Sequence, residues 1–89
     1  MKLTLAVERL LDGLDRWEEP GVIYQYKKSG EYDCDPKSTF ESVSREHSTR
    51  RIFVCNSRDD LADWFPGIGI NPTQDLAEIE NYIRNEILK

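Results

Sequence analysis

The sequence is poor in the residues that build metal centres and disulfide scaffolds. It has two cysteines, Cys34 and Cys55, one histidine, His47, and no Cys-x-x-Cys pair. Because a closed zinc site generally takes four cysteine or histidine ligands in closely spaced pairs, no structural metal is expected. Two cysteines could form one disulfide in a secreted chain, but the opening residues reach Glu8 before any apolar stretch of signal-peptide length. Buried thiols in a reducing cytosol are therefore the favoured interpretation.

Long apolar runs and low-complexity stretches are also missing. No segment approaches the roughly 18 apolar residues of a membrane span. The composition, 38% hydrophobic and 33% charged over 89 residues, is typical of a globular chain with room for one domain. We therefore predict a single soluble, cytoplasmic domain, residues 1–89, with no membrane partner.

Catalytic signatures are scarce as well. Gly67-Ile68-Gly69 lacks the lysine and hydroxyl residue of a phosphate loop and lies between two predicted helices. The acidic pair Asp59-Asp60 opens a predicted helix, where carboxylates normally interact with the helix dipole. Cys55 and His47 could approach each other across a hairpin, but no catalytic motif surrounds them. The prediction is a protein that is not an enzyme and takes no cofactor or metal.

Basic charge is in short supply and unevenly distributed. Twelve basic residues stand against 17 acidic ones, a net charge of −5. The net charge is −2 over residues 1–20 (3 − 5), +1 over 21–55 (6 − 5) and −4 over 56–89 (3 − 7). Since nucleic-acid binding needs a strongly basic surface, direct binding is not expected. An alternative is a partial DNA mimic formed by Asp12, Asp15, Asp59, Asp60, Asp63, Glu78 and Glu80.

Hydrophobic periodicity divides the chain into helical ends and a strand-rich middle. Apolar residues recur at steps of four and three from Leu3 to Trp17, which predicts a helix over 3–18. Alternating residues predict a β region over 22–55 that contains a hairpin. Capping and proline signals predict C-terminal helices over 57–65 and 72–88.

This order predicts an α+β fold: an antiparallel sheet of about four strands with the N-terminal helix and the two C-terminal helices packed on it. Phe40 to Ser44 is interpreted as a strand, although Ser38 to Glu41 also has the spacing of a helical capping box. The run Ile52 to Cys55 is apolar on both alternating faces. Either the N-terminal helix covers the face opposite the C-terminal pair, or a partner covers that face.

The C-terminal half resembles a known family. This half contains a strand followed by Ser57, Leu61, Trp64-Phe65, a glycine-containing turn and Ile79-Glu80-Asn81. The succession resembles small phage-encoded anti-CRISPR proteins that inhibit the type I-F surveillance complex. The resemblance covers roughly residues 38–83. It implies a steric inhibitor that docks on the protein backbone of a ribonucleoprotein and prevents target DNA from pairing with the guide. It would act in the host cytoplasm if phage-encoded.

Sheet tyrosines and a glutamate make the contacts in that family. Tyr26 resembles one such tyrosine, and the register puts Ser42 at the glutamate, with Glu41 adjacent. Tyrosine and arginine also anchor protein interfaces in general, because they bury large areas while keeping a polar end. The predicted protein-binding residues are the anchors Tyr24, Tyr26, Tyr32 and Glu41 and the rim charges Arg50 and Arg51.

Two other classes of function stay open. A small bacterial adaptor or regulator, with a protein partner or as a homodimer through the face of Ile52 and Val54, would explain the doubly apolar strand. A thiol enzyme would depend on Cys55. The chain is thus expected to be a monomer or a homodimer with a protein partner.

Overall fold

A computed structural model describes residues 1–65 and 72–88 of the chain. No helix within these residues is long and apolar enough to cross a membrane. The predicted turn Gly67-Ile68-Gly69 lies outside them. The elements in chain order are α1 (Leu3–Leu14), β1 (Gly21–Tyr26), β2 (Tyr32–Pro36), α2 (Lys37–Glu46), β3 (Thr49–Cys55), α3 (Arg58–Trp64), α4 (Pro72–Tyr82) and a π-helical segment (Ile83–Ile87) that continues α4.

The sheet is antiparallel, with the strand order β2-β1-β3. The α+β class and the antiparallel sheet are thereby confirmed. The prediction of about four strands is wrong, because the described residues form three strands. β1 is central, so that Ile23 lies between Cys34 of β2 and Phe53 of β3.

The expected strand Phe40 to Ser44 lies inside helix α2. The reason is a cap supplied from outside the helix: the backbone N–H of Lys37 donates to the carbonyl of Pro20 (2.8 Å), and that of Ser38 donates to the carboxylate of Glu19. These two bonds satisfy amide groups that a helix N-terminus otherwise leaves without partners. No side chain at the N-cap position of α2 makes such a bond. The capping groups that favour this helix therefore come from residues distant in the sequence.

One face of the sheet carries the main core, and we call it the α1 face. Helices α1, α3 and α4 all pack on it, so α1 shares a face with the C-terminal helices rather than covering the opposite one. Each aliphatic side chain buried here contributes about 1.5–3 kcal/mol by leaving water. The fully buried aliphatic residues of this core include Leu3, Val7, Leu10, Ile23, Leu61, Ile79 and Ile83.

The opposite face, the α2 face, is covered by helix α2. The doubly apolar run Ile52 to Cys55 is explained by a β-bulge, because the register of β1 with β3 shifts between Ile23 and Tyr24 and leaves Ile52 without a direct partner. Ile52, Phe53 and Cys55 all join the main core. Val54 lies opposite Val22 on the α2 face and is 37% exposed. Three of the four residues therefore face the main core, and only Val54 faces α2.

Helix α1 ends at Leu14, four residues before the predicted end at 18. The backbone N–H groups of Arg16 and Trp17 both donate to the carbonyl of Gly13, which turns the chain out of the helix. The ring of Trp17 then lies against Gly13 so closely that an added Cβ would be 2.4 Å from it. The indole thus still packs on α1, although it lies beyond the helix.

Candidate protein-binding surface

Tyr24, a predicted interface anchor, is fully buried between the sheet and α2. Its hydroxyl donates to Oδ2 of Asp35 at 2.6 Å, and its ring contacts Phe40 of α2 with 5.0 Å between centroids. Burial raises the pKa of Tyr24 above the usual tyrosine range, and the hydrogen bond to Asp35 raises it further. Tyr24 therefore packs beneath helix α2 and does not present its ring to solvent.

Asp35 connects the two faces of the molecule. It lies opposite Val22 in the β1–β2 ladder, and its Oδ1 accepts a 3.0 Å hydrogen bond from Nη2 of Arg9 on α1. The carboxylate is nearly buried, at 8% exposure, and both of its oxygens have a donor. Charge-assisted bonds of this kind are stronger than neutral ones. The Arg9–Asp35–Tyr24 chain thus holds α1 and β1 against strand β2.

The other predicted residues divide between the two faces. Residues directly opposite each other in an antiparallel ladder point to the same face. Arg51 lies opposite Tyr24, on the α2 face, whereas Arg50 and Tyr32 both lie opposite Gln25, on the α1 face. Tyr32 is partly buried and packs against the main core. The structure therefore does not bring all the predicted residues together on one surface.

Tyr26 lies at the far end of the α2 face. Its ring makes edge contacts with Tyr24 and with His47, at centroid distances of 5.5 and 5.7 Å. It lines an open depression near the hairpin end together with charged and hydroxyl side chains of the hairpin and of the α2–β3 turn. Tyr26 is thus partly exposed, but it lies apart from Glu41 and Arg51, which share a different cleft.

Glu41 and Arg51 meet in a cleft of about 140 Å³ between α2 and β3, which we call the α2 cleft. Both side chains are exposed, and neither forms an ion pair with any residue that the structure describes. The cleft therefore places an acidic and a basic side chain beside the exposed apolar surface of Val54, with Lys37 as a second basic residue in its lining. Its lining residues are Pro20, Val22, Lys37, Phe40, Glu41, Arg51, Val54 and Asn56.

A second groove, of about 260 Å³, follows β3 on the side of α3, and we call it the α3 groove. Trp64, which is 58% exposed, lies here with its ring 5.7 Å from that of Phe53. The spacing of Leu61, Trp64 and Phe65 in the sequence is that of one apolar helix face. In α3, Leu61 and Phe65 occupy the buried stripe, and Trp64 falls beside it. The spacing of four between those two residues was the available signal. The groove is lined by Phe53, Val54, Cys55, Asn56, Asp60, Leu61 and Trp64.

The structure does not support pairing of Cys55 with His47. His47 precedes β3 and Cys55 ends it, so a strand of seven residues, about 24 Å long, separates them. Burial raises the pKa of both thiols, and Cys55 Sγ donates to the carbonyl of Ser57 at 3.0 Å. Within residues 1–65 and 72–88, no group of three or more histidine, cysteine or acidic residues could hold a metal ion.

Comparison of the chain with known protein families, with curated proteins and with solved structures gives no match.

Proposed function

We propose that this protein is a non-enzymatic inhibitor that binds another protein through the α2 cleft. The observation that carries the proposal is the juxtaposition of unpaired Glu41 and Arg51 beside exposed Val54. An arginine next to apolar surface is a common anchor of protein interfaces, because a partner can desolvate both together. Charges of opposite sign also fix the orientation of the partner.

The supporting layer beneath this cleft is well defined. Phe40 forms part of the cleft and rests on the ring of Tyr24, which Asp35 holds in place through the buried hydroxyl. Among the predicted anchors, Tyr24 thus acts by positioning Phe40, whereas Glu41 and Arg51 supply contacts. Arg50 and Tyr32 lie on the opposite face, so a partner confined to the cleft would not touch them.

We further propose a CRISPR surveillance ribonucleoprotein as the partner. The resemblance to type I-F anti-CRISPR proteins supports this target, and the net charge of −5 favours docking on protein subunits over contact with RNA or DNA. Inhibition would be steric, because a bound domain would occupy the space that target DNA needs in order to pair with the guide. No turnover or cofactor is required.

Size-exclusion chromatography of the protein with purified type I-F complex tests the proposal. The wild-type chain is expected to co-elute with the complex and to block target-DNA binding. Arg51→Glu should weaken binding by about tenfold or more, since an interfacial charge is reversed. Arg50→Glu is the matched control, because it makes the same charge change on the neighbouring residue but on the other face.

Two results would contradict the proposal. The partner assignment is wrong if the wild-type chain fails to co-elute with surveillance complexes of any subtype. The cleft assignment is wrong if Arg50→Glu and Arg51→Glu weaken binding equally. Glu41→Lys gives a second test from the other wall of the cleft, with Glu46→Lys as its control on the same helix but in the depression near the hairpin.

A further inference from the structure

We propose that two copies of this chain pair through the outer edge of β3 and form a two-fold symmetric dimer. This inference goes beyond the proposed inhibitor function and does not require it. It begins from the sheet topology: in the strand order β2-β1-β3, β3 pairs with β1 on one side and with no other described strand. The backbone groups of an edge strand are a template for pairing with another chain.

The side chains around this edge suit an added strand. The α2 cleft lies on one side of β3 and the α3 groove on the other, and Val54 and Asn56 line both. Side chains of an added strand would alternate between the two faces of the sheet, and so between the cleft and the groove. Exposed Val54 and Trp64 provide apolar surface there, at 37% and 58% exposure. The edge is therefore flanked by concave surface on both faces.

Charge identifies the occupant as a second copy. The start of β3 carries exposed Arg50 and Arg51, and beyond its other end lie Asp59 and Asp60, in the first turn of α3. None of these four side chains forms an ion pair with a residue in the described part of the chain. Antiparallel pairing of two β3 strands would bring the arginine end of each copy to the aspartate end of the other. Parallel pairing would oppose like charges.

Two-fold symmetry is compatible with this arrangement and repeats each favourable contact. In a symmetric dimer, the same patch is used on both subunits, so it must be complementary to itself. An axis perpendicular to the sheet relates antiparallel strands and keeps both copies the same way up. The two three-stranded sheets would join into one sheet of six strands, with both α2 clefts on the same face.

The first experiment is the mass of the wild-type chain in solution, measured by light scattering or sedimentation over about a hundredfold range of concentration. The average mass is expected to rise from 10.4 kDa toward twice that value. A mass that stays at one chain throughout the range would overturn the proposal and leave the edge to some other occupant.

The second experiment locates the interface by charge reversal. The double variants Arg50→Glu/Arg51→Glu and Asp59→Lys/Asp60→Lys should each be monomeric, because each opposes like charges across the edge. An equimolar mixture should recover the dimer, since both sets of contacts are then attractive. Lys27→Glu/Lys28→Glu is the control, because it makes the same charge change on exposed residues of the hairpin turn and should leave the mass unchanged.

Circular dichroism verifies that each variant is folded, and Val54→Lys replaces any double variant that is not. Val54→Lys should be monomeric, because it places a charge in the apolar part of the edge. If the charge variants dimerise like the wild type, if Val54→Lys stays dimeric, or if the mixture stays monomeric, the β3 interface is wrong. Glu41→Lys separates this proposal from the inhibitor function. That variant should lose partner binding in the α2 cleft while retaining the mass of the dimer.

Discussion

The two faces of the sheet are covered in different ways. On the α1 face, three helices bury aliphatic side chains completely, whereas α2 on the other face contributes no fully buried residue. Its apolar contacts come from Phe40 and Val43, both only partly buried. The difference teaches that the stability of this small domain resides mainly on the α1 face. The thin cover on the α2 face leaves the cleft that we propose as the binding site.

Helix α2 stays on the sheet through contacts at its N-terminus and at Phe40. Its N-terminus is bonded to Glu19 and Pro20, and Phe40 rests on Tyr24. Short isolated helices are marginal in water, so such tertiary contacts are needed to hold one of ten residues. This arrangement suits recognition, because the helix can keep its outward side chains polar without losing its position.

The largest difference between the faces should follow from a cavity in the main core. Leu10→Ala is expected to lower the free energy of unfolding by about 2–5 kcal/mol, because it removes fully buried methyl groups from the α1 face. Urea denaturation measures the loss. Leu5→Ala on the same helix is the control, since Leu5 is 52% exposed and should change stability by less than about 0.5 kcal/mol. Equal losses for both variants would contradict the assignment of the core.

A smaller loss of stability is expected when the buried hydrogen bond between Tyr24 and Asp35 is removed. Tyr24→Phe removes the donor to Asp35 Oδ2 and should cost about 1–3 kcal/mol, since a buried carboxylate oxygen is left without a partner. The same denaturation assay measures it. Tyr32→Phe is the control, because Tyr32 is partly buried and its hydroxyl has no bond to another described residue. If the two phenylalanine variants are equally stable, Tyr24 does not hold the α2 face.

The parts of this structure that were predictable are those with local causes. The stripe that begins at Leu3 predicts α1, and Ser57 caps α3 by accepting from the backbone N–H of Asp60. Local sequence predicts a strand where α2 lies, because the cap of this helix comes from Glu19, 19 residues before Ser38. The burial of Tyr24 was missed for the same reason, since it depends on that helix.

The prediction that Ile52 to Cys55 presents apolar side chains to both faces failed because the chain bulges at Ile52, and a bulge depends on pairing between strands. The sequence around Ile52 does not identify it as the unpaired residue, because the register of β3 is set by its pairing with β1. The candidate site was partly predictable: Glu41 and Arg51 share a cleft, while Arg50 and Tyr32 lie on the other face.

Shortening a side chain of α2 should destabilise the domain less than shortening one in the main core. Val43→Ala is expected to cost about 1 kcal/mol or less, because it removes two methyl groups from a partly buried position. The denaturation midpoint should therefore shift far less than for Leu10→Ala. A loss as large as that of Leu10→Ala would show that the α2 face contributes equally to stability, and the comparison of the two faces would be wrong.

The smallest effect concerns the N-terminal cap of α2 and its dependence on pH. The hydrogen bond from the backbone N–H of Ser38 lowers the pKa of Glu19, because it favours the ionised carboxylate. A lowered pKa in the folded state means that the cap stabilises α2 above the usual glutamate pKa, and that this contribution is lost as pH falls through the lowered value.

The NMR shift of the Ser38 amide should therefore titrate with a midpoint below the usual glutamate range, while the core amides of α1 stay unchanged. Glu19→Gln should abolish this titration, because an amide side chain does not ionise, and Glu18→Gln is the matched control that should leave it in place. A Ser38 midpoint at or above the usual glutamate value would mean that Glu19 does not cap the helix. The α2 face would then be held by Phe40, Val43 and the hydrogen bond from Lys37 to Pro20, and acid would affect both faces of the sheet alike.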